Sequence, residues 1–237
     1  MNRFALLQLI VNRHNFNKYL EIGTFTGKSL LPLKCNYKIA IDPCFKIRKR
    51  THLKWIIKNP TNIRNRYFEM FSNDFFEQKE SFLIKTGKLD LVFIDGEHTF
   101  KASLIDTLNS LKHIRQKGFI VLHDCYPPTD AAAIYAESYA EARDKKPEGW
   151  TGSWCGDVWK TIVYLKEKYK DYLKVTVLDA DFGLGILKIK EQVSADDLKL
   201  DEALFEKVNK LEYRDLKKDT SIINLIPVDG LNQFIES

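Results

Sequence analysis

Cysteine is scarce and scattered in this chain. Four occur in 237 residues, Cys35, Cys44, Cys125 and Cys155, with no Cys-x-x-Cys pair among them. That spacing argues against a zinc knuckle and against a disulfide framework. Long apolar runs are missing too: the stretch from Phe4 to Val11 is too short to span a bilayer and reads as a first helix. No secretory leader is expected, and a reducing cytoplasm is the expected compartment. Internal repeats are absent, and the formal net charge of +5 is modest for the length. Core material is plentiful. With 44% hydrophobic and 12% aromatic residues, the chain can bury a full core and is not a disordered one. Its length fits one α/β domain with additions.

The most informative stretch is Lys18-Tyr-Leu-Glu-Ile-Gly-Thr-Phe-Thr-Gly27. An apolar strand ending in Glu21 runs into a turn bounded by Gly23 and Gly27, and a second strand, Tyr37 to Ile41, ends in Asp42. Strand, glycine turn, helix and acid outline a nucleoside-binding β-α-β unit. Glycine lets the backbone approach a ligand, and the acid can accept both ribose hydroxyls. The dinucleotide fingerprint Gly-x-Gly-x-x-Gly is missing, because the sequence has Glu-x-Gly-x-x-x-Gly instead. An acid at Glu21 suits a cationic ligand and would repel a pyrophosphate. Since short glycine turns after strands are common, a purely structural turn stays open on this motif alone.

Strand-like and helix-like segments keep alternating. A third strand is expected over Arg66 to Phe71, then a helix over roughly Asp74 to Ile84. Leu89 to Ile94 is a nearly continuous apolar run, as a central parallel strand should be. A helix from about Thr99 to Arg115 follows, with Leu104, Ile105, Leu108, Leu111 and Ile114 on one face. Phe119 to Leu122 makes a fifth strand. Leu173 to Leu178 and Gly185 to Ile189 flank a short turn containing Asp179, Asp181 and Gly183, which reads as a hairpin. The expectation is an α/β sandwich with a mostly parallel seven-stranded sheet, a C-terminal antiparallel hairpin, and helices on both faces. Residues 1–190 form the expected main domain, with an insert over about 126–160. Residues 191–237 form a helical extension with a helix near Ala195 to Leu211.

Ligands of open α/β sheets sit beyond the carboxyl ends of the strands. Those ends carry Glu21, Asp42, Ser72 or Asp74, Asp95 with His98, and His123 with Asp124. A single Asp there often only caps the next helix; acids at so many ends are harder to dismiss. Asp95 and Asp124, on neighbouring strands, are spaced to share a divalent cation through hard oxygen ligands. His98, one turn on, could take a proton from a hydroxyl at that ion. His123 is expected to face the other side of its strand and ranks below His98. His14, His52 and His113 have no such neighbours.

The Glu-x-Gly-x-x-x-Gly turn resembles motif I of the Rossmann-like methyltransferases that use S-adenosylmethionine (SAM), and the segments FIDGEHTF, GFIVLHDC, WCGDVWK and DADFGLGIL extend the likeness. More closely, they resemble a group of small, often metal-assisted O-methyltransferases, some acting on sugars of antibiotics. These relatives carry Asp-Gly-x-His after strand four and His-Asp after strand five. The likeness spans roughly residues 17 to 190. It implies SAM held by Glu21, the turn of Gly23, Thr24 and Gly27, Asp42, Ser72 and Asp95. It further implies a magnesium-like ion on Asp95 and Asp124, with His98 as base. Catechol-type relatives have Lys at the base position and Asn after the second Asp. His98 and Cys125 stand there here, which favours a sugar or other small-molecule alcohol as acceptor. Asp157 is a candidate third metal ligand.

The insert over 126–160 holds Tyr135, Tyr139, Trp150, Trp154 and Trp159. It reads as a substrate wall or lid, as a homodimer contact, or as core packing. From Lys46 to Arg66 there are eight Lys or Arg and no acid. With no RNA-binding module beside it, the run reads as a solvated face, and a nucleic-acid partner is not expected. A nicotinamide-dependent oxidoreductase and a nucleic-acid methyltransferase remain the alternatives.

Overall fold

The computed structural model describes residues 1–236. Helix α1 (Arg3–His14) starts on Asn2, whose side chain accepts the Ala5 N–H, and buries Leu6, Leu7, Ile10 and Val11. The strands are β1 (Lys18–Ile22), β2 (Tyr37–Asp42), β3 (Arg66–Glu69), β4 (Leu89–Ile94), β5 (Ile114–Leu122), β6 (Leu173–Leu178), β7 (Leu184–Ile189) and β8 (Leu225–Ile226). They form one sheet in the order β3-β2-β1-β4-β5-β7-β6-β8. The first five are parallel, and β7 runs antiparallel to both β5 and β6. The expected hairpin is there. The count of seven is corrected to eight, because β8 adds two residues alongside β6, with Val177 opposite Leu225 and Leu178 opposite Ile226. Two residues carry no readable alternation.

The side-chain period of two splits the core between the faces of the sheet. On β4 and β5, Val92, Ile94, Ile120 and Leu122 pack with Phe100, Leu104 and Trp159. Leu91, Phe93, Phe119 and Val121 pack with Leu6, Leu7 and Ile10 of α1 on the other face. Residues after 190 join both layers: Leu216 and Ile223 enter the first, Leu231, Phe234 and Ile235 the second. The helix expected near Ala195 to Leu211 is shorter, α8 (Glu202–Asn209), and starts where Asp201 accepts the Leu204 N–H. Helices α9 (Tyr213–Lys218) and α10 (Leu231–Glu236) follow it. The single helix expected over Asp74 to Ile84 is instead α3 (Ser72–Gln78) and α4 (Glu80–Thr86).

The largest departure lies between β1 and β2, where the expected helix is replaced by turns over residues 23–36. Pro32 explains it: the ring lacks an N–H and would clash with the carbonyl four residues earlier in a helix. The carbonyls a helix would have satisfied are taken by side chains. Lys38, fully buried, donates Nζ to Leu30 O and Leu33 O at 2.8 Å each. Asn59 and Asn62 donate to Leu31 O at 3.1 and 2.9 Å. Buried backbone oxygens thus keep partners without regular structure.

Sheet order reverses between β1 and β4, each βα connection leaving to a different side. That is the switch point at which doubly wound sheets open a crevice.

Candidate active site

At the switch point the chain is packed to the limit. Gly23 follows β1 with a φ of 82°, and a Cβ there would lie 1.9 Å from the Asp95 carbonyl oxygen. Only glycine fits such a position. The turn is pinned on both sides by Gly23 N–H to Ile41 O and Asp95 N–H to Ile22 O, each 2.9 Å. Asp42, at the end of β2, accepts the Phe25 and Cys44 N–H groups on separate oxygens, both at 2.7 Å. A carboxylate offers about four acceptor sites, so each oxygen keeps capacity for a ligand hydroxyl.

A cleft of about 1050 Å³ runs over this rim, lined by Gly23, Phe25, Asp42, Ser72, Asp95 and Asp106, among others. Three residues assigned to it from sequence, Glu21, Thr24 and Gly27, do not line it. Glu21 is corrected from a cleft residue to one beneath the turn. It is fully buried, accepts the Tyr19 hydroxyl on Oε2 at 2.5 Å, and has no partner for Oε1. Burial raises its carboxyl from its ordinary 4.5 to about 7. Alternation explains the placement, because Tyr19 and Glu21 share a face of β1. Asp106, on α5 (Phe100–His113), went unnoticed in the sequence. It lines the cleft, and burial raises its carboxyl to about 7.

A smaller pocket of about 260 Å³ adjoins the cleft and includes Arg3, His123, Asp124 and Phe182. Asp95, His98, Tyr139 and Trp154 border both spaces. One ligand atom from each of Asp95, His98 and Asp124 falls within 4.8 Å of the others. Two carboxylates and an imidazole suit a divalent ion by donor chemistry. Asp157 does not join them. Its Oδ1 accepts the Phe100 N–H at 2.7 Å, capping α5, and Oδ2 faces Lys160 Nζ at 3.2 Å. The candidate third ligand is therefore a helix cap.

His98 precedes α5 by two residues, since Thr99 is the N-cap. Its ring stacks on Trp154 at 5.1 Å and 19°, and Nδ1 lies 2.8 Å from the Trp154 carbonyl. A carbonyl only accepts, so Nδ1 carries the hydrogen. In the neutral ring the lone pair is then on Nε2, 3.8 Å from Asp95 Oδ1. Gly156, with a φ of 60°, makes this possible: a Cβ there would meet the His98 carbonyl oxygen at 1.8 Å.

His123 is a further correction. It does not face away, because β5 ends at Leu122 and the alternation stops with it. Nδ1 lies 2.8 Å from Asp124 Oδ2 and 3.4 Å from Asp95 Oδ1, and Nε2 lies 3.7 Å from Asp181 Oδ1. Neither ring nitrogen makes a well-aligned hydrogen bond, so the contacts are chiefly ionic. Burial alone would lower the imidazole, but Asp95, Asp124 and Asp181 outweigh it and raise it to about 9. Burial pushes Asp95 up against the pull of His123. Asp124, also buried, is held down by His123 against the push of burial.

Two further members come from far along the chain. Arg3 places Nη1 2.5 Å from Asp95 Oδ2 and Nε 3.0 Å from Asp181 Oδ2. No spacing rule signals a residue at position 3. Asp181 opens the β6–β7 turn, where Asp181, Phe182 and Gly183 have φ values of 48°, 64° and 84°. The turn is tied to the end of β5 by Cys125 N–H to Gly183 O at 2.9 Å and Tyr126 N–H to Phe182 O at 2.8 Å. The basic run forms α2 (Lys49–Lys58) and a 3₁₀ turn over Pro60–Arg64. None of its Lys or Arg lines either space.

Residues 20–125, which hold the glycine turn and the ends of β1 to β5, match the family model of a methyltransferase domain. This part of the chain is similar to a methyltransferase domain. An uncharacterized protein of Acanthamoeba polyphaga mimivirus is 29% identical over 133 residues, which make up 51% of this chain and 58% of that protein's length. Among solved structures, the fold is similar to that of the O-methyltransferase from Bacillus cereus in complex with SAH. That match has 17% identity and a TM-score of 0.54, and it covers 79% of this chain and 80% of the other. It is similar also to the O-methyltransferase TomG from Streptomyces achromogenes, involved in tomaymycin synthesis and solved in complex with SAM. There the identity is 13% and the TM-score 0.55, with 80% of each chain covered. At such identities the likeness is one of fold, and the Rossmann-like methyltransferase fold expected from the motifs is the one found. No helix among the described residues is long and apolar enough to cross a membrane.

Proposed function

We propose that the chain is a methyltransferase that transfers a methyl group from SAM to a hydroxyl of a small molecule or sugar. The observation carrying this reading is the junction of two spaces at the switch point. One is a cleft with an acid at a strand end for ribose, and the other a small pocket containing Asp124 and His123, with Asp95 and His98 on their shared border. Methyl transfer is an in-line displacement, and it needs chiefly that acceptor oxygen, carbon and sulfur be aligned. Two adjoining spaces that meet at the base provide for that alignment.

In this reading Asp42 accepts the ribose hydroxyls with the acceptor capacity left by the Phe25 and Cys44 N–H groups. Gly23 gives the ligand its closest approach to the backbone, and Ser72 and Asp95 complete the wall. His98 receives the acceptor proton at Nε2, the nitrogen left free by the Trp154 carbonyl. Asp95 and Asp124 would hold a divalent ion, magnesium by their oxygen chemistry, which when bound acidifies an alcohol at the site. Trp154 and Tyr139 shape the acceptor side and exclude water.

Calorimetric titration separates this reading from its competitors. Binding of SAM or SAH with no response to NADH supports it. The reverse preference would point to hydride chemistry on the same fold. A mass-spectrometric screen of alcohols, sugars and RNA for a gain of one methyl group then identifies the acceptor class.

A further inference from the structure

Nothing in the proposed transfer requires Arg3, yet Arg3 supplies a fixed positive charge inside the acid cluster. Arginine stays protonated in proteins, and its planar fork suits carboxylates. Here Nη1 meets Asp95 Oδ2 at 2.5 Å, while Nε and Nη2 meet the two oxygens of Asp181 at 3.0 and 3.4 Å. The Arg3 backbone N–H also donates to Asp181 Oδ2, at 2.7 Å. Asp181 thus holds both the first turn of α1 and its guanidinium. Its own backbone is held by the left-handed turn tied to the end of β5. The arginine is therefore fixed in place by the fold. Its side chain is 29% exposed, so it sits at the wall of the site and outside the core.

Asp95 is consequently divided. Oδ2 faces Arg3, and only Oδ1 turns toward His98 and His123. An ion bound by Asp95 and Asp124 would share a carboxylate with a guanidinium a few ångströms away. The groups between them are shielded from water, with Asp124 at 6% and Asp95 at 17% side-chain exposure. Like charges in such surroundings are weakly screened.

We propose that Arg3 is a resident cation that sets the affinity of the Asp95–Asp124 pair for a divalent ion by competing for Asp95. This rests on the reading that the cluster holds such an ion. Arg3 is in this sense a positioning residue: it fixes the orientation of Asp95 and offsets its charge whether or not a metal is present. Asp181 draws the guanidinium partly away, and Oδ1 of Asp95 faces the imidazoles of His98 and His123 instead of Arg3. Docking of α1 and metal occupancy are thereby linked, because the N-terminus of that helix carries the competing charge.

Mn²⁺ binding, followed by electron paramagnetic resonance of the free ion, tests this without any turnover. Arg3→Gln should bind Mn²⁺ at least about tenfold more tightly than the wild type, the order expected on removing one close like charge. Arg3→Lys keeps the charge and should stay within about threefold of the wild type. Asp181→Asn, which leaves Arg3 to Asp95 alone, should bind more weakly. Near-ultraviolet circular dichroism and SAH calorimetry check that each variant is folded. Equal or weaker binding in Arg3→Gln, beside measurable binding in the wild type, overturns the competition and leaves the metal reading intact. If no variant binds Mn²⁺ at millimolar concentration, the metal reading fails and this inference with it.

Discussion

Replacing Gly23 with alanine tests the switch point most directly. Two costs are separable there. The left-handed backbone, φ 82°, costs a residue with a Cβ about 1–2 kcal/mol. The second cost is steric. The new Cβ would stand 1.9 Å from Asp95 O, 2.4 Å from its carbon and 2.7 Å from Gly96 N. These are backbone atoms, pinned by the Asp95 N–H to Ile22 O bond, so relief requires moving the end of β4. Overpacking of this sort typically costs about 1–3 kcal/mol. Gly23→Ala should therefore lose about 2–5 kcal/mol. Gly149 supplies the control: its φ is 79°, but nothing lies within 4 Å of the added Cβ. Gly149→Ala should lose only the backbone share, about 1–2 kcal/mol. Urea denaturation read by tryptophan fluorescence compares the two, and SAH calorimetry shows whether the displaced Asp95 segment also weakens the ligand. Equal destabilisation of the two variants would refute the close approach.

Asp42→Ala should weaken SAH binding by about 1.5–3 kcal/mol, the loss of a pair of charge-assisted hydrogen bonds; unchanged affinity in calorimetry removes Asp42 from the ribose site. His98→Ala should keep SAH affinity and lower turnover by about 10²–10⁴-fold, whereas preserved turnover per folded molecule would move the base elsewhere, with His123 the next candidate. A chelator should abolish turnover, and magnesium or manganese should restore it while SAH binding survives; full activity in excess chelator rejects the metal and leaves methyl transfer standing. Glu21 makes folding pH-dependent. Its carboxyl is raised from 4.5 unfolded to about 7 folded, so the folded state binds the extra proton between those values. The stability it contributes is complete below pH 4.5 and is lost as pH rises through 7, by about 3 kcal/mol in all. Glu21→Gln should be free of that loss, so the stability difference between variant and wild type should widen from pH 5 to pH 8; a constant difference counts against the buried acid.

What could be read from the sequence was what repeats or ends abruptly. Leu89 to Ile94 announces a central strand because both faces of β4 are covered, and the acid that follows marks the rim. Asp42 ends β2, and Asp95, His98 and Asp124 stand within four residues of the ends of β4 and β5, so the same rule points to them. Local competition hid the rest. Residues 23–36 contain the glycine, polar and leucine pattern of a short helix, yet Pro32 blocks it, and the carbonyl partners come from Lys38, Asn59 and Asn62. Asp157 and Asp95 look alike as acids near aromatic residues; only the Phe100 N–H distinguishes a cap from a ligand. Arg3 lies 92 residues from Asp95 and 178 from Asp181. No periodicity within one element relates positions so distant.

The backbone around the acid cluster gives an independent indication of where function lies. Asp124, Asp181 and Phe182 all have positive φ, at 62°, 48° and 64°. Aspartate tolerates the left-handed region, but a bulky aromatic there is an outlier, and such strain costs about 1–3 kcal/mol per residue. It persists only where the surroundings enforce it. Two hydrogen bonds from the Cys125 and Tyr126 N–H groups do so, tying the turn at 181–183 to the end of β5. Gly183 permits the contact, since a Cβ there would fall 2.1 Å from Tyr126 N. The consequence is that Asp124 and Phe182 reach one pocket from two segments of backbone, with Asp181 holding Arg3 beside it and the Phe182 ring edge-on to His123 at 6.1 Å. A glycine at 182 would satisfy the backbone better and leave that wall open. Strain enforced in this way fixes the shape of the small pocket.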